Sequence, residues 1–83
     1  MTRFWADGEP ISVQVDADGL PAQFTWRGQT HVVQRIANRW RIEDEWWRGR
    51  VSREYFKVTT QTLHLLMYHD AITGVWRLQR VYD

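Results

Sequence analysis

Apolar and polar residues alternate one by one through much of this chain of 83 residues. Ile11, Val13 and Val15 are each separated by a polar residue, and Phe24 and Trp26 enclose a threonine. Successive side chains of a β-strand point to opposite faces of a sheet, so a period of two is typical of a strand that buries one face. The alternation predicts a chain built mainly from strands.

Turn residues separate the predicted strands at short intervals. Gly28 permits a tight reversal after the second strand. Near the end of the sequence, residues 62–69 and 75–82 are predicted to be two strands, and the loop between them begins with Asp70 and ends with Gly74. An aspartate side chain can cap such a turn, and glycine supplies the positive φ that a hairpin bulge requires. This hairpin is the clearest unit in the sequence.

The segment of residues 30–42 is longer than an ordinary strand. A bend or bulge is therefore expected near Ala37 and Asn38. An amphipathic helix over residues 30–41 is the alternative, but frequent β-branched residues favour a strand. The acidic run at residues 43–45 is expected to form a solvated turn.

Eighty-three residues form one domain, residues 1–83. The sequence has no cysteine, which excludes disulfides and thiolate metal sites, and it has six tryptophans. Aromatic packing or oligomerisation must therefore stabilise so small a core. We expect an all-β fold, an antiparallel meander of about six strands that curls into a small barrel or a half-open sheet.

The net charge of +1 argues against a strongly basic protein that coats nucleic acid. The charge is unevenly distributed, since residues 1–20 carry −3 and residues 21–42 carry +4. Ten of the eleven basic residues are arginine, whose planar fork suits phosphates, carboxylates and aromatic rings. No apolar run is long enough for a signal peptide or a membrane span. A cytoplasmic protein without membrane association is expected.

Residues for catalysis are sparse. Ser12 and Ser52 lack the surroundings of a nucleophile elbow, and there is no glycine-rich phosphate loop. The three histidines have the wrong spacing for a metal site, because His64 and His69 lie an odd number of positions apart on one predicted strand and so face opposite ways. We expect no enzyme activity, no cofactor and no metal.

Four tryptophans are each followed by an arginine, at positions 26, 40, 47 and 76. Neighbours on a strand face opposite ways, so this pattern predicts a tryptophan core and an outer face of arginines. These arginines either hydrate the sheet surface or form a positive strip that contacts phosphates or an acidic partner.

Trp46 and Trp47 are consecutive, so on one strand they cannot both enter the core. One of them either covers a sheet edge or stands exposed as a stacking platform or interface hot spot. The candidate binding residues are Arg39, Arg41, Trp46, Trp47, Arg48 and Arg50.

Several longer runs carry a family resemblance. They are Trp40-Arg41-Ile42, Trp46-Trp47-Arg48, Arg53-Glu54-Tyr55-Phe56-Lys57-Val58, Tyr68-His69-Asp70, Gly74-Val75-Trp76-Arg77-Leu78 and Val81-Tyr82-Asp83. The chain resembles, over about residues 21–83, a small domain of unknown function at the C-terminal end of ImuB-like proteins, inactive relatives of Y-family DNA polymerases. The resemblance implies association with damage-inducible mutagenesis and translesion synthesis, where ImuB-like proteins act as adaptors. No catalytic residue is implied.

The leading interpretation is a non-catalytic adaptor module that docks on a protein partner in a DNA-repair or polymerase complex. The alternative is a module that binds single-stranded DNA or RNA through arginines and an exposed tryptophan. A third interpretation is a structural homodimer that pairs through a tryptophan-rich sheet edge.

Overall fold

The computed structural model describes residues 2–46 and 49–82, with Trp46 described by its backbone alone. Seven strands make up this part of the chain: β1 (Arg3–Val15), β2 (Pro21–Trp26), β3 (Gln29–Val32), β4 (Arg35–Trp46), β5 (Gly49–Thr59), β6 (His64–Asp70) and β7 (Trp76–Tyr82). Among these residues there is no helix that is long and apolar enough to cross a membrane.

All seven strands belong to one sheet in the order β3-β2-β1-β7-β6-β5-β4, and every neighbouring pair is antiparallel. The two edge strands, β3 and β4, are consecutive in the chain and are linked only by Val33 and Gln34. The Val33 amide donates to the Ala22 carbonyl and the Gln34 amide to the Thr59 carbonyl, both at 2.9 Å. The link therefore continues both edge ladders and draws the two edges together at this end.

The sheet curls around a buried apolar cluster, and we call the concave side the core face. Phe24 on β2 and Phe56 on β5 belong to the same cluster although three strands separate theirs. The other members of the cluster are Val58, Leu65, Met67, Leu78 and Val81. The predicted all-β antiparallel fold is confirmed, in its half-open form: the sheet has seven strands and does not close into a barrel.

The predicted turns are present. Arg27 and Gly28 both have positive φ, 51° and 79°, and form the two-residue reversal between β2 and β3. In the last hairpin, Asp70 Oδ1 accepts a hydrogen bond of 2.9 Å from the amide of Ile72, and Gly74 has a φ of 78°. The capping aspartate and the permissive glycine thus have the roles that the sequence predicts.

The predicted irregularity in the middle segment is also present. The pairing of β4 with β5 shifts between Ile36 and Asn38, which leaves Ala37 as an extra residue. One extra residue transfers every later side chain to the opposite face. Ile36 consequently packs against the core cluster, whereas Trp40 faces outward and stacks on Tyr55.

Two expectations for this region were wrong. Residues 30–42 form neither one strand nor a helix, because β3 ends at Val32 and β4 begins at Arg35. The acidic residues 43–45 are exposed, but they lie within β4 and not in a turn. Pairing with β5 up to Gly49 carries the strand through this charged run.

The expected tryptophan core was also wrong for the described residues. Trp26 and Trp76 pack against the core cluster but are only partly buried, and Trp40 is on the other face. The fully buried side chains are smaller, since the indole ring is too large to be enclosed easily in a small curled sheet. Tyr82 lies on the opposite face from Leu78, although the two residues are four positions apart, because β7 has its own irregularity between them.

Candidate functional site

The convex side of the sheet, which we call the outer face, carries a row of aromatic rings. Trp40 on β4, Tyr55 on β5 and Tyr68 on β6 are direct cross-strand partners. The rings of Trp40 and Tyr55 are stacked with centroids 5.4 Å apart, and those of Tyr55 and Tyr68 are 5.1 Å apart. Trp40 is 37% exposed and covers Tyr55, which is 7% exposed. The row therefore ends in an accessible indole.

Cations lie against the aromatic rings of the same face. The Arg53 guanidinium is 4.6 Å from the ring centroid of Tyr68, and its Nη1 donates to the Tyr55 hydroxyl at 3.3 Å. This hydrogen bond raises the pKa of Arg53 above its ordinary value. The Lys57 ammonium lies 4.9 Å from the ring of Tyr82. Each ring holds a neighbouring charge by a cation–π contact.

Arg80 on β7 places a further cation on this face, next to β1. Its guanidinium is 4.9 Å from the ring of Phe4, its cross-strand neighbour on β1, and 5.7 Å from the ring of Tyr82. The Nε atom of Arg80 and Nε2 of His64, whose ring packs on Tyr82, are buried and have no hydrogen-bond partner among the described residues.

The segment Asp7–Gly8 fixes the centre of the outer face. Tyr68 donates its hydroxyl hydrogen to the Asp7 carbonyl at 2.7 Å, and Arg77 donates to the Gly8 carbonyl at 3.2 Å. Gly8 has a φ of 80°, and a Cβ atom there would lie only 2.7 Å from the Cβ atom of Arg77. Burial raises the pKa of Tyr68, although Arg53 and Arg77 partly oppose this shift. Because Gly8 has no side chain, the backbone of β1 can approach Arg77 on β7 this closely.

The two faces differ in how their cations are neutralised. Arg39 and Glu54, at 3.2 Å, and Arg41 and Glu43, at 3.0 Å, form ion pairs on the core-face side of β4 and β5. Within the described part of the chain, the four outer-face cations form no ion pair; they are Arg53, Lys57, Arg77 and Arg80. Arg53 lies directly across from Asp70 on β6, so Lys57, Arg77 and Arg80 are the outer-face cations that have no carboxylate partner among the described residues.

The residues predicted from the sequence as a binding set are only partly brought together. Arg39 and Arg41 are exposed but have carboxylate partners, and Arg50 lies directly across from Glu45. Trp47, Arg48 and the side chain of Trp46 lie outside the described residues. A binding role for this set stays a prediction.

Comparison with known proteins identifies the family. The profile described as "Domain of unknown function (DUF6504)" matches residues 1–83. The chain belongs to the DUF6504 family.

Curated relatives of this DUF6504 chain carry the name Protein ImuB. Protein ImuB of Caulobacter vibrioides strain NA1000 / CB15N is 39% identical over 54 residues, which cover 54% of this chain and 12% of that protein. Protein ImuB of Caulobacter vibrioides strain ATCC 19089 / CIP 103742 / CB 15 gives the same values. This chain thus spans 12% of the length of these relatives. No solved structure matches it significantly. The resemblance to ImuB-like proteins is confirmed.

Sequence reasoning missed most of the outer face of this DUF6504 domain. Arg53, Tyr55 and Lys57 alternate on β5 with Phe56 and Val58, which face the core. That alternation was a usable signal, because it separates a cationic, aromatic side from an apolar side.

Proposed function

We propose that this domain is a binding module for single-stranded nucleic acid and that the outer face is its contact surface. The observation that carries the proposal is that four outer-face cations form no ion pair with the residues that the structure describes, and three of them lie against aromatic rings. Cations neutralise phosphates, and exposed rings stack on bases of any sequence. The face offers both kinds of contact side by side.

Each part of the face has a role in this proposal. The free side of the Trp40 indole accepts a base, which lengthens the existing stack on Tyr55. Lys57 and Arg80 lie in the next cross-strand row and bind the phosphates that follow. Phe4, 54% exposed beside Arg80, provides a second ring at the far side of the sheet.

The proposal favours a single strand over a duplex. Bases inside a duplex are stacked on each other, and their flat surfaces are inaccessible to a ring on a sheet. A curved sheet face can contact an unpaired strand whose bases are splayed out. The contacts described above do not discriminate one base from another, so little sequence preference is expected.

The setting that we propose is a response to DNA damage. The support is the similarity of this chain to part of Protein ImuB and the resemblance to ImuB-like proteins, whose association is with translesion synthesis. In that setting the domain would hold an exposed template strand and contribute no chemistry of its own.

A second candidate is the adaptor module that docks on a protein. Ile42 favours it, because this residue is 43% exposed beside Trp40 and an aliphatic side chain cannot stack on a base. An exposed indole with an aliphatic neighbour is typical of a protein interface.

Fluorescence anisotropy with labelled oligonucleotides separates the two candidates. A single strand of mixed sequence is titrated with the protein, in parallel with the duplex of the same sequence. The proposal expects saturable binding of the single strand and weaker binding of the duplex. Equal binding of both would reject the preference for a single strand. No binding of either would reject the nucleic-acid function and leave the adaptor.

A further inference from the structure

Strand β4 forms an edge of the sheet and pairs with β5 on one side only. Its 12 residues make it one of the longest strands, and its end extends beyond the pairing of β5 with β6, which begins at Arg53 and Asp70. An edge strand of this kind presents a row of unpaired N–H and C=O groups that can accept another strand.

The side chains along the free part of β4 have a regular distribution of charge. Arg39, Arg41, Glu43 and Glu45 alternate with Trp40, Ile42 and Asp44. Arg39 and Arg41 are on the core-face side, where they bond Glu54 and Ser52, and the alternation assigns the two glutamates to the same side. The positive half and the negative half of this row are therefore arranged symmetrically about Ile42.

We propose that β4 pairs antiparallel with β4 of a second copy of the chain, with Ile42 opposite Ile42 on a two-fold axis. In this register Arg41 lies opposite Glu43 of the second copy, and Arg39 lies opposite Glu45. Because the interface is isologous, each of these pairs occurs twice. Opposite charges in directly facing positions stabilise a strand pair.

Geometry and charge together disfavour the nearest other registers. A two-fold axis that extends the sheet is perpendicular to it and keeps each face continuous, so facing residues must come from the same face. The nearest alternatives are then shifts by two residues. Such a shift places Arg41 opposite Arg41 or Glu43 opposite Glu43, and like charges directly opposite are destabilising. The register centred on Ile42 avoids every like-charge pair among these four positions.

The cost of forming the pairs is small. Arg41 and Glu43 bond each other within one copy at 3.0 Å, but both side chains are 53% exposed. Exposed ion pairs contribute only about 0–1 kcal/mol, so exchange for a partner on the second copy loses little. The exposed Ile42 side chains meet on the outer face with Trp40 diagonally adjacent, which removes apolar surface from water. In the same register Asp44 of the second copy lies opposite Trp40, so the dimer and a stacked base compete for the free side of the indole.

Sedimentation velocity with charge-swap variants tests the register. The protein is measured over a concentration series that reaches about 100 µM, so that even a weak interface is detected. At the highest concentrations it is expected to sediment with twice the 10.0 kDa mass of one chain. Arg41→Glu or Glu43→Arg alone should give monomers, and the double variant R41E/E43R should restore the dimer. A circular dichroism melt establishes that each variant is folded. A monomeric wild type, or single variants that remain dimeric, would overturn the proposal.

A cysteine cross-link provides a second test with the same protein, because the chain has no cysteine of its own. Facing residues of an antiparallel pair have Cα atoms about 4.5–5.5 Å apart, within the range that a disulfide spans. Ile42→Cys should form a covalent dimer under mild oxidation, whereas Ile72→Cys, at a still more exposed position in the β6–β7 turn, should stay monomeric. Equal cross-linking of both variants, or of neither, would contradict the interface.

Discussion

The indole of Trp40 lies parallel to the phenol ring of Tyr55, with the ring planes 2° apart and the centroids 5.4 Å apart. Tyr55 is covered from solvent by this contact, whereas the other side of the indole is accessible. The pair has the geometry of a stack that is open at one end. In our proposal, a base of the bound strand completes it.

Trp40→Ala should weaken the binding of a single-stranded oligonucleotide by about 1–3 kcal/mol, because a stacking platform is lost. Trp40→Phe is the matched control and should bind more strongly than the alanine variant, since it retains a flat ring. Anisotropy titration measures both affinities. Equal affinity of the wild type and the alanine variant would mean that the stack has no part in binding.

Gly8→Ala should destabilise the domain more than Gly19→Ala. Both glycines have a φ of 80°, so an alanine costs about 1–2 kcal/mol for the left-handed backbone at either position. Only Gly8 has a close neighbour, the Cβ atom of Arg77, and overpacking adds about 1–3 kcal/mol. Urea denaturation measures the difference. Equal losses of stability would show that the contact between Gly8 and Arg77 is not tight.

Leu78→Ala should lower the free energy of unfolding by about 2–5 kcal/mol, since Leu78 is fully buried in the core cluster. Ile72→Ala removes an aliphatic side chain from the exposed β6–β7 turn and should change stability by less than about 0.5 kcal/mol. Thermal melts of the two variants check the assignment of the core face. Similar melting temperatures would contradict it.

Tyr68 should make the domain sensitive to alkali. Burial raises the pKa of its phenol in the folded state above the ordinary value of 10.0, so the folded state holds this proton more tightly than the unfolded state. The resulting stabilisation is complete below pH 10 and is lost as the pH rises through the raised pKa. Tyr68→Phe should show a smaller fall in stability between neutral and alkaline pH than the wild type. An identical fall in both proteins would assign the sensitivity to other groups.

Local patterns in the sequence were sufficient for the terminal hairpin and for the irregularity within β4, but not for the ends of β3 and β4. The terminal hairpin follows from Asp70 and Gly74, which act within a few residues of themselves. The irregularity at Ala37 follows from a segment that exceeds the usual strand length. These features depend on neighbours in the chain, and so the sequence alone predicts them.

The assignment of faces could not be predicted, because it depends on single extra residues. The bulge at Ala37 reverses the orientation of Trp40, and the shift between Leu78 and Arg80 brings Tyr82 to the outer face. The ion pairs between strands could not be predicted from the sequence either. Arg39 meets Glu54 only because the β4–β5 register places two residues 15 positions apart within bonding distance.

The salt dependence of oligonucleotide binding tests the central claim most directly. An eight-nucleotide single strand is titrated at several salt concentrations with the wild type, with K57Q/R80Q from the outer face, and with the matched control R39Q/R41Q. If each of the four outer-face cations meets a phosphate, the log–log slope of the wild type is about −2.8, and removal of two cations reduces it to about −1.4. The control, whose two arginines are neutralised by Glu54 and Glu43, should keep the wild-type slope. A K57Q/R80Q variant with wild-type affinity and slope, or loss of binding only in R39Q/R41Q, would contradict a nucleic-acid interface on the outer face.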